Sequence, residues 1–336
     1  MRICVLHRPH RNVEWQTKFT GRELPDDSIE EARHHAAAIE ACGHETEIIT
    51  WSRSLRDDLE RLKKGGYDLV VNASSLQEVA VLEFAGIRFM GSGLDLVVMD
   101  KATRKRLWIR DSVPTPTFML VDELSELDGF QRPPFPLFVK PARGRGSAGI
   151  TDESIVNAGV ELERACRRII STMNQGALVE KYISGTEVTV GLIGNGLDLT
   201  VLPPLEIEYN GSKTNTFEHK QDREVFHCPP RLAPDILERL RETARLAFMS
   251  VGARDFARVD FIYDHERDIP YVLEINTFAG LQILDGRQKH LHSSYIGKMA
   301  ETVGWDSAEV FRRLIEVTMK RYEQEESAEG LAPRVG

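Results

Sequence analysis

Residues 257–263, Ala-Arg-Val-Asp-Phe-Ile-Tyr, and residues 271–277, Tyr-Val-Leu-Glu-Ile-Asn-Thr, are mainly apolar runs that are typical of β-strands. Glu274 and Asn276 are two residues apart, so both side chains point to the same face of their strand. Asp260 lies in the other run, and a neighbouring strand would bring its carboxylate beside them. Because Mg²⁺ prefers oxygen ligands, these side chains predict a metal site suited to the phosphates of a nucleotide.

Either run alone also has a simpler explanation. An isolated aspartate in Val-Asp-Phe is often a strand-end or turn residue, and Glu-Ile-Asn also fits a solvated strand edge. The occurrence of both runs in one chain, together with the upstream motifs below, favours the metal site.

Composition limits the classes of function. The chain has 336 residues, which exceeds the usual size of one hydrophobic core and predicts two or three domains. Its 43 basic and 52 acidic residues give a net charge of −9, and no basic run has interleaved aromatic residues. Nucleic acid is therefore not an expected partner.

The cysteines and apolar segments indicate a cellular compartment. Cys4, Cys42, Cys166 and Cys228 are scattered without a Cys-x-x-Cys pair, which fits a reducing cytosol better than a zinc site or a disulfide framework. The N-terminal apolar run is too short for a signal peptide, and no apolar stretch has the length that spans a bilayer. We predict a soluble, cytoplasmic protein with no membrane partner.

The first hundred residues alternate strand-like and helix-like patterns, which predicts a parallel sheet with helices on both faces. The predicted strands are 3–6, 46–50 and 67–71, and the predicted helices begin at Ser28 and span 55–64 and 80–85. No Gly-x-Gly-x-x-Gly motif follows the first strand, so we predict no nicotinamide site.

The rest of the chain predicts two further regions. Predicted helices are 101–110, 153–173, 234–250 and two near the C-terminus, and predicted strands are 137–140, 177–181, 188–192 and 197–202, before a polar loop at 210–226. The expected domains are 1–95, 96–183 and 184–323, with a disordered polar tail at 324–336.

A glycine-rich loop follows a predicted strand that ends in a lysine. Residues 138–150 read Phe-Val-Lys-Pro-Ala-Arg-Gly-Arg-Gly-Ser-Ala-Gly-Ile and include Lys140, Gly146, Ser147 and Gly149. Glycines let backbone N–H groups approach phosphate, the serine adds a hydroxyl donor, and the lysine adds a mobile positive charge. The lysine precedes the glycines, so this is not a P-loop, and a plain solvent loop is an equal alternative.

Residues 178–183, Leu-Val-Glu-Lys-Tyr-Ile, end a predicted strand at a candidate hinge between domains. Adenine requires a donor–acceptor pair and apolar walls, which Glu180 and the backbone of Lys181 and Ile183 can supply. Glu187 is a candidate acceptor for ribose hydroxyls. Taken singly, each glutamate also fits a surface carboxylate.

Six motifs occur in one order along the chain. They are Met-Asp-Lys101, the Lys140-Pro141 loop, Glu180-Lys181-Tyr182, Gly185-Thr186-Glu187, Arg258-x-Asp260 and Glu274-x-Asn276-Thr277. In this order they resemble the ATP-grasp superfamily, and most closely its D-alanine–D-alanine ligase branch, over residues 89–280. The resemblance implies a mixed α/β and α+β protein, with an N-terminal Rossmann-like parallel-sheet domain followed by a two-subdomain ATP-grasp fold.

The resemblance also implies the cofactors and the roles of individual residues. Contacts to the ATP phosphates are implied for Lys101, Lys140, Gly146, Ser147, Gly149 and Lys220. Contacts to adenine are implied for Glu180, Lys181, Tyr182 and Ile183, and a contact to the ribose for Glu187. Two Mg²⁺ or Mn²⁺ ions would be held by Asp260, Glu274 and Asn276. The implied catalytic residues are Arg258, which would stabilise an oxyanion, and Lys140, Ser147 and Lys220, which would act on the transferred phosphate.

The substrate positions differ from the pattern of the branch. Its early Gly-rich, Ser-containing motif with a substrate-binding glutamate is absent, and His7 and Glu14 are the candidates in that region. The branch's Asn-Thr-x-Pro-Gly-Met-Thr reads Asn-Thr-Phe-Ala-Gly-Leu-Gln here, including Gly280, and Asp285 lies near the position of a substrate-binding serine. We therefore predict that nucleotide and metal chemistry are retained and that the substrates differ from D-alanine.

The leading functional prediction is an ATP-dependent carboxylate–amine ligase that forms an acyl phosphate. Its expected partners are a small-molecule acid and a small-molecule amine, and the family also makes a homodimer an expectation. The alternatives are a D-alanine–D-alanine ligase of cell-wall synthesis and a regulatory protein that binds ATP without turnover.

Overall fold

Among the residues that it describes, the computed structural model contains three β-sheets, which follow one another along the chain. It describes residues 1–9, 28–52, 54–72, 76–128, 132–144, 149–209, 224–284 and 293–331. Within these ranges, none of the helices combines the length and apolar character needed to cross a membrane.

The N-terminal sheet is parallel, as the alternating pattern predicts. Its strands are β1 (Arg2–His7), β2 (Glu45–Thr50), β3 (Leu69–Asn72) and β4 (Phe89–Met90), in the spatial order β2-β1-β3-β4. Its helices are α1 (Ser28–Ala41), α2 (Leu55–Gly65), α3 (Leu76–Phe84) and α4 (Leu94–Val97). The strand order reverses at β1, and the carboxyl end of such a strand is where sheets of this kind hold ligands.

The middle sheet is antiparallel and follows helix α5 (Lys101–Arg110). Its strands are β5 (Phe118–Val121), β6 (Leu137–Pro141), β7 (Ile155–Val156) and β8 (Ala177–Lys181), in the order β5-β8-β6-β7, with a 3₁₀ turn at Leu124–Asp128. The helix predicted from residue 153 is wrong at its start, because α6 spans Gly159–Met173. A capped 3₁₀ turn at Asp152–Ser154 comes first, and the β-branched pair of β7 then joins the edge of β6.

The large sheet contains the apolar run at residues 257–263 and, up to Asn276, the one at residues 271–277. Its strands are β9 (Thr186–Ile193), β10 (Thr200–Val201), β11 (Leu205–Tyr209), β12 (Glu224–His227), β13 (Phe256–Asp264) and β14 (Ile269–Asn276), and helix α7 (Pro234–Ser250) packs on it. The strand predicted at 197–202 is shorter, because a 3₁₀ turn occupies Gly196–Asp198 and prolines follow β10. The predicted polar loop ends early, because β12 pairs with β11.

Helices α8 (Tyr295–Thr302) and α9 (Ser307–Leu331) end the described chain. The prediction of a disordered tail is wrong for residues 324–331, which continue α9, and residues 332–336 lie outside the described ranges. Val310 and Phe311 of α9 share one hydrophobic cluster with Ile3 of β1 and with Phe256 of β13. Helix α9 therefore packs the N-terminal sheet and the large sheet around a common core.

His35 of α1 lies in this core, with no hydrogen-bond partner for either ring nitrogen within the described part of the chain. Its ring packs against Phe311 of α9, with 4.9 Å between ring centroids. Burial lowers the pKa of His35 to about 3. Burial also raises the pKa of Glu31, whose carboxylate lies 3.9 Å from the imidazole, to about 7. At mildly acidic pH both side chains are therefore neutral in the folded protein.

Replacing His35 by Leu is expected to stabilise the fold, because a buried polar group without a partner costs about 1–3 kcal/mol. The wild-type imidazole stays neutral when folded but binds a proton in the unfolded chain below its ordinary pKa of 6.5, so stability falls as pH drops from 6.5 toward 3. The gain from H35L should be roughly 2 kcal/mol larger at pH 5 than at pH 8. Thermal melts of H35L and wild type at both pH values measure this gain in stability. His34→Leu, a change at the half-buried neighbouring residue, is the control. A gain that does not depend on pH would contradict this account.

Candidate active site

The two runs singled out in the sequence form adjacent strands. In the antiparallel pair β13–β14, Asp260 lies opposite Glu274 and Arg258 lies opposite Asn276, and a bulge follows Asp260. The alternate residues of β13 are apolar, and the fully buried Val259 belongs to the hydrophobic cluster that α7 also enters. The sheet therefore presents the four polar side chains together on its other face.

Asp260 is the centre of the hydrogen bonds on this face. Arg258 donates to both carboxylate oxygens, at 2.8 Å from Nε to Oδ1 and 2.9 Å from Nη2 to Oδ2. The Thr189 hydroxyl of β9 donates to Oδ1 at 2.6 Å, and the Asn276 amide nitrogen donates to Oδ2 at 2.7 Å. The same amide nitrogen lies 3.2 Å from Glu274 Oε1. The structure thus brings the three predicted metal ligands together, and their role as ligands stays a prediction.

The chemistry of this face fits Mg²⁺, because two carboxylates and an amide carry hard oxygen atoms. Asp260 accepts four hydrogen bonds, which is about the capacity of an ionised carboxylate. A cation beside Asp260 therefore has to displace a donor. Turning the Asn276 amide over would replace its NH₂ group by its oxygen and convert the donor into a ligand.

Arg258 is fixed on the same face from two sides. Besides its paired bonds to Asp260, its guanidinium lies over the ring of Tyr295 on α8, 4.8 Å from the ring centroid. This geometry keeps a cation next to the predicted ligands, where the resemblance implies an oxyanion contact.

Helix α5 carries three cations at positions i, i+3 and i+4, which lie on one side of a helix. The Lys101 ammonium donates to the Gly144 carbonyl at 2.9 Å, and Arg104 donates to the Ile275 carbonyl at 3.0 Å. The third, Lys105, is fully buried. Burial lowers the pKa of Lys101 to about 8. Helix α5 therefore connects the loop after β6 with β14, the strand of the predicted ligands.

Glu180 at the end of β8 lies between two buried lysines. Its Oε1 is 2.6 Å from Lys105 Nζ and its Oε2 is 2.7 Å from Lys140 Nζ. Burial alone would raise the pKa of Glu180, but the two ammonium groups outweigh burial and hold it below the ordinary value. The sequence predicts a contact of Glu180 with adenine. The structure adds that the Glu180 carboxylate is the centre of an ion cluster.

The residues after β8 contact neighbouring backbone. The Lys181 N–H donates to the Thr117 carbonyl at 2.8 Å, and the Tyr182 N–H donates to the Pro136 carbonyl at 3.1 Å. Since both N–H groups are occupied, the backbone donor in the adenine prediction is left to the N–H of Ile183.

Two other predicted site residues, Glu187 and His7, lie on strands β9 and β1. Glu187 is two residues from Thr189 on β9, so it points to the face that carries Asp260. His7 ends β1 and is only 4% exposed, with Nδ1 at 3.5 Å from the Thr50 hydroxyl. The contact of a substrate with so buried an imidazole stays a prediction.

Two predicted glycines lie against other residues. Gly149 has φ +75°, and an added Cβ would lie 2.8 Å from Cγ of Pro141, so a larger residue does not fit. At Gly280 an added Cβ would lie 3.0 Å from Cβ of Ser294. The predicted residues Glu14, Gly146, Ser147, Lys220 and Asp285 lie outside the described ranges.

Sequence reasoning missed Arg104, Lys105 and Thr189. The spacing of Arg104 and Lys105 from Lys101 on one predicted helix was a usable signal, because it predicts a single cationic face. Thr189 gave no comparable signal, since its role depends on the pairing of β9 with β13.

A second group of carboxylates lies on β11 and β12. Glu206, Glu208 and His227 have ligand atoms within 4.8 Å of one another. Arg231 pairs with both glutamates, at 2.5 Å and 2.7 Å. Because this arginine already pairs with both carboxylates, we interpret the group as an ion network.

Comparison with known proteins identifies the family of the chain. The family model for the C-terminal part of D-Ala–D-Ala ligases, "D-ala D-ala ligase C-terminus", matches residues 121–316, which is more than half of the chain. The chain belongs to this family. The match confirms the predicted ATP-grasp relationship and the prediction of an ATP-binding ligase that forms an amide bond.

Two sequence relatives have similar identity but different descriptions. An uncharacterized protein, y4sG, from Sinorhizobium fredii is 32% identical over 308 residues, which are 85% of this chain and 86% of that protein. D-alanine–D-alanine ligase B from Chromobacterium violaceum is 34% identical over 238 residues, which are 66% of this chain and 74% of that protein.

Solved structures confirm the fold. A Bacillus anthracis D-alanine–D-alanine ligase complexed with ATP aligns with 97% of this chain and 99% of its own, with a TM-score of 0.71 at 23% identity. The VanG D-Ala:D-Ser ligase of Enterococcus faecalis aligns with 94% of this chain and 99% of its own, with a TM-score of 0.70 at 19% identity. The prediction of a parallel N-terminal sheet followed by the ATP-grasp sheets is therefore confirmed.

Proposed function

We propose that this ligase joins a small carboxylic acid to an amine through an acyl phosphate, and that its substrates differ from D-alanine. The observation that carries the proposal is the convergence of Asp260, Glu274 and Asn276 on one face of the large sheet. Helix α5 adds support, because it joins that face to the lysine cluster around Glu180.

The proposed reaction requires mainly that the protein position charged groups around the reacting atoms. A carboxylate is a poor electrophile, and transfer of a phosphoryl group to it creates a good leaving group with little covalent chemistry by the protein. Lys101 and Lys140 would bind phosphate oxygens, and Arg258 would face the oxyanion that forms when the amine attacks. Two Mg²⁺ ions, when held by the three ligands on β13 and β14, would neutralise charge on the transferred group.

The proposed change of substrate depends on residues around the carboxyl end of β1. Phe278, two residues after Asn276, packs against the hydrophobic cluster that contains Leu6 of β1 and Val79 of α3. Residues 72–77 read Asn-Ala-Ser-Ser-Leu-Gln, where the branch pattern has His-Gly-x-x-Gly-Glu-Asp, and residues 73–75 lie outside the described ranges. The first acid would therefore meet different side chains from those of the D-alanine pattern.

A product screen tests the proposal. Purified protein with Mg²⁺ and ATP is incubated with pairs of amino acids, small acids and amines, while ADP release is followed and products are identified by mass spectrometry. We expect one pair to give at least tenfold higher kcat/KM than D-alanine alone. The Glu274→Gln variant measures ADP release from contaminating ATPases.

Rapid ADP release with D-alanine alone, together with its dipeptide, would overturn the proposed substrate difference. That result would establish the cell-wall ligase, which the name of the Chromobacterium relative favours. If none of the pairs in a broad panel gives ADP release, the proposed reaction would be overturned.

We further propose the domain division 1–95, 96–183 and 184–323, a cytoplasmic location and a homodimer. The strands of the three sheets fall within these three segments. The scattered cysteines support the location, and family membership supports the dimer.

A further inference from the structure

The buried ion cluster around Glu180 contains one more cation than anion. Lys105 is 0% exposed, Lys140 is 5% exposed and Glu180 is 2% exposed, so all three are removed from water. One carboxylate balances only one of the two ammonium groups. The remaining positive charge is suited to an anion that enters from outside.

The two lysines differ in their hydrogen bonds. Lys105 Nζ lies 2.6 Å from Glu180 Oε1, 2.6 Å from the Thr115 hydroxyl and 3.4 Å from the Val272 carbonyl. Two hydrogen bonds, to Thr115 and Val272, and one ion pair, to Glu180, therefore occupy this ammonium group, which has three donors. Lys105 is therefore held completely by the protein.

Lys140 keeps donors for another partner. Within the described part of the chain, its ammonium meets one acceptor, Glu180 Oε2 at 2.7 Å. An ammonium has three donors, so two of them have no acceptor among the described residues. Lys140 is the penultimate residue of β6, shortly before the glycine-rich loop predicted to meet phosphate.

We propose that Lys105 is a positioning residue, the permanent counter-ion of Glu180, and that it leaves Lys140 available to bind a nucleotide phosphate. This inference rests on the proposed function. Without the charge of Lys105, the Glu180 carboxylate would hold Lys140 as its sole counter-ion. Lys105 acts through Glu180 and does not itself touch the nucleotide.

Binding of ADP and adenosine separates this role from a general loss of structure. Only ADP carries phosphates, so the inference predicts a lower ratio of ADP affinity to adenosine affinity in Lys105→Met. We expect the ratio to fall roughly tenfold or more, the usual effect of losing a hydrogen bond to a charged group. Calorimetry with Mg²⁺ present measures both affinities in the folded variant. Arg106→Met, an exposed charge on the same helix, is the control and should leave the ratio unchanged.

The Glu180→Gln background tests whether Lys105 acts through Glu180. A neutral glutamine cannot capture Lys140, so adding Lys105→Met to Glu180→Gln should change the affinity ratio by less than twofold. This double variant also leaves no unpaired buried carboxylate, so it remains testable if the single variant does not fold. A tenfold loss in that background would overturn the inference.

The possible failures are distinct. A folded Lys105→Met protein with an unchanged affinity ratio would overturn this inference and leave the proposed function intact. Failure of the wild-type protein to bind ADP would overturn the proposed function and this inference together.

Discussion

Replacing Glu274 by Gln is expected to reduce ADP release with the preferred substrates by about a thousandfold while the protein stays folded. Glu274 lies opposite Asp260 and shares the Asn276 amide with it, and these two side chains are the carboxylates among the three predicted metal ligands. Gln keeps the shape but removes the negative charge that holds a divalent cation. A loss of roughly 4 kcal/mol of transition-state stabilisation corresponds to this factor.

Steady-state kinetics over a range of Mg²⁺ concentrations measures this effect. Glu266→Gln is the matched control, because Glu266 is exposed in the turn at the other end of the same hairpin, and it should retain full activity. We expect high Mg²⁺ to restore part of the E274Q activity, since weaker binding can be offset by concentration. A kcat within threefold of wild type at ordinary Mg²⁺ would contradict the metal site on β13 and β14.

The sequence predicts the fold well where the local pattern and the tertiary pairing agree. Alternating strands and helices in the first hundred residues lead to a parallel sheet, and the structure has one. The errors lie where tertiary contacts change a local preference. Ile155 and Val156 follow a helix-like start, yet they pair with Phe138 and Leu137 at a sheet edge. The polar tail is helical to Leu331 because α9 has a core face that starts at Val310.

The candidate site also has one part that the sequence predicts and one part that depends on tertiary contacts. The meeting of Glu274 and Asn276 follows from their spacing of two, and Asp260 joins them because β13 and β14 are connected by a short turn. The ion cluster around Glu180 could not be predicted from the spacing of residues in the sequence. Glu180 and Lys105 are distant in the chain, and their contact depends on where α5 packs against β8.

Asp255 and Arg321 form a buried ion pair between helix α9 and the residue before β13. Asp255 is fully buried before β13 and has φ +63°, a conformation that aspartate and asparagine tolerate better than most residues. Arg321 of α9 donates to both its oxygens at 2.9 Å. The Gly91 N–H and the Asn195 amide also donate to this carboxylate, each at 2.8 Å. One side chain therefore ties α9 to the large sheet and to the end of β4.

Replacing Arg321 by Met is expected to destabilise the protein by about 3–5 kcal/mol, because it leaves the Asp255 charge buried without a cation. In a thermal melt of a chain of this length this corresponds to a midpoint lower by roughly 4–7 °C. Lys320→Met is the control on the adjacent residue, since Lys320 pairs with Asp198 at 2.5 Å while both side chains stay more than half exposed. Such a surface pair contributes about 0–1 kcal/mol.

A second substitution distinguishes the unpaired charge from the loss of packing. Adding Asp255→Asn to Arg321→Met removes the buried charge and keeps a residue that accepts positive φ, so the double variant should be more stable than Arg321→Met alone. If the lower stability came from lost packing of the arginine stem, adding Asp255→Asn would lower the stability further. An Arg321→Met melt no lower than that of Lys320→Met would show that α9 is held in place without this ion pair.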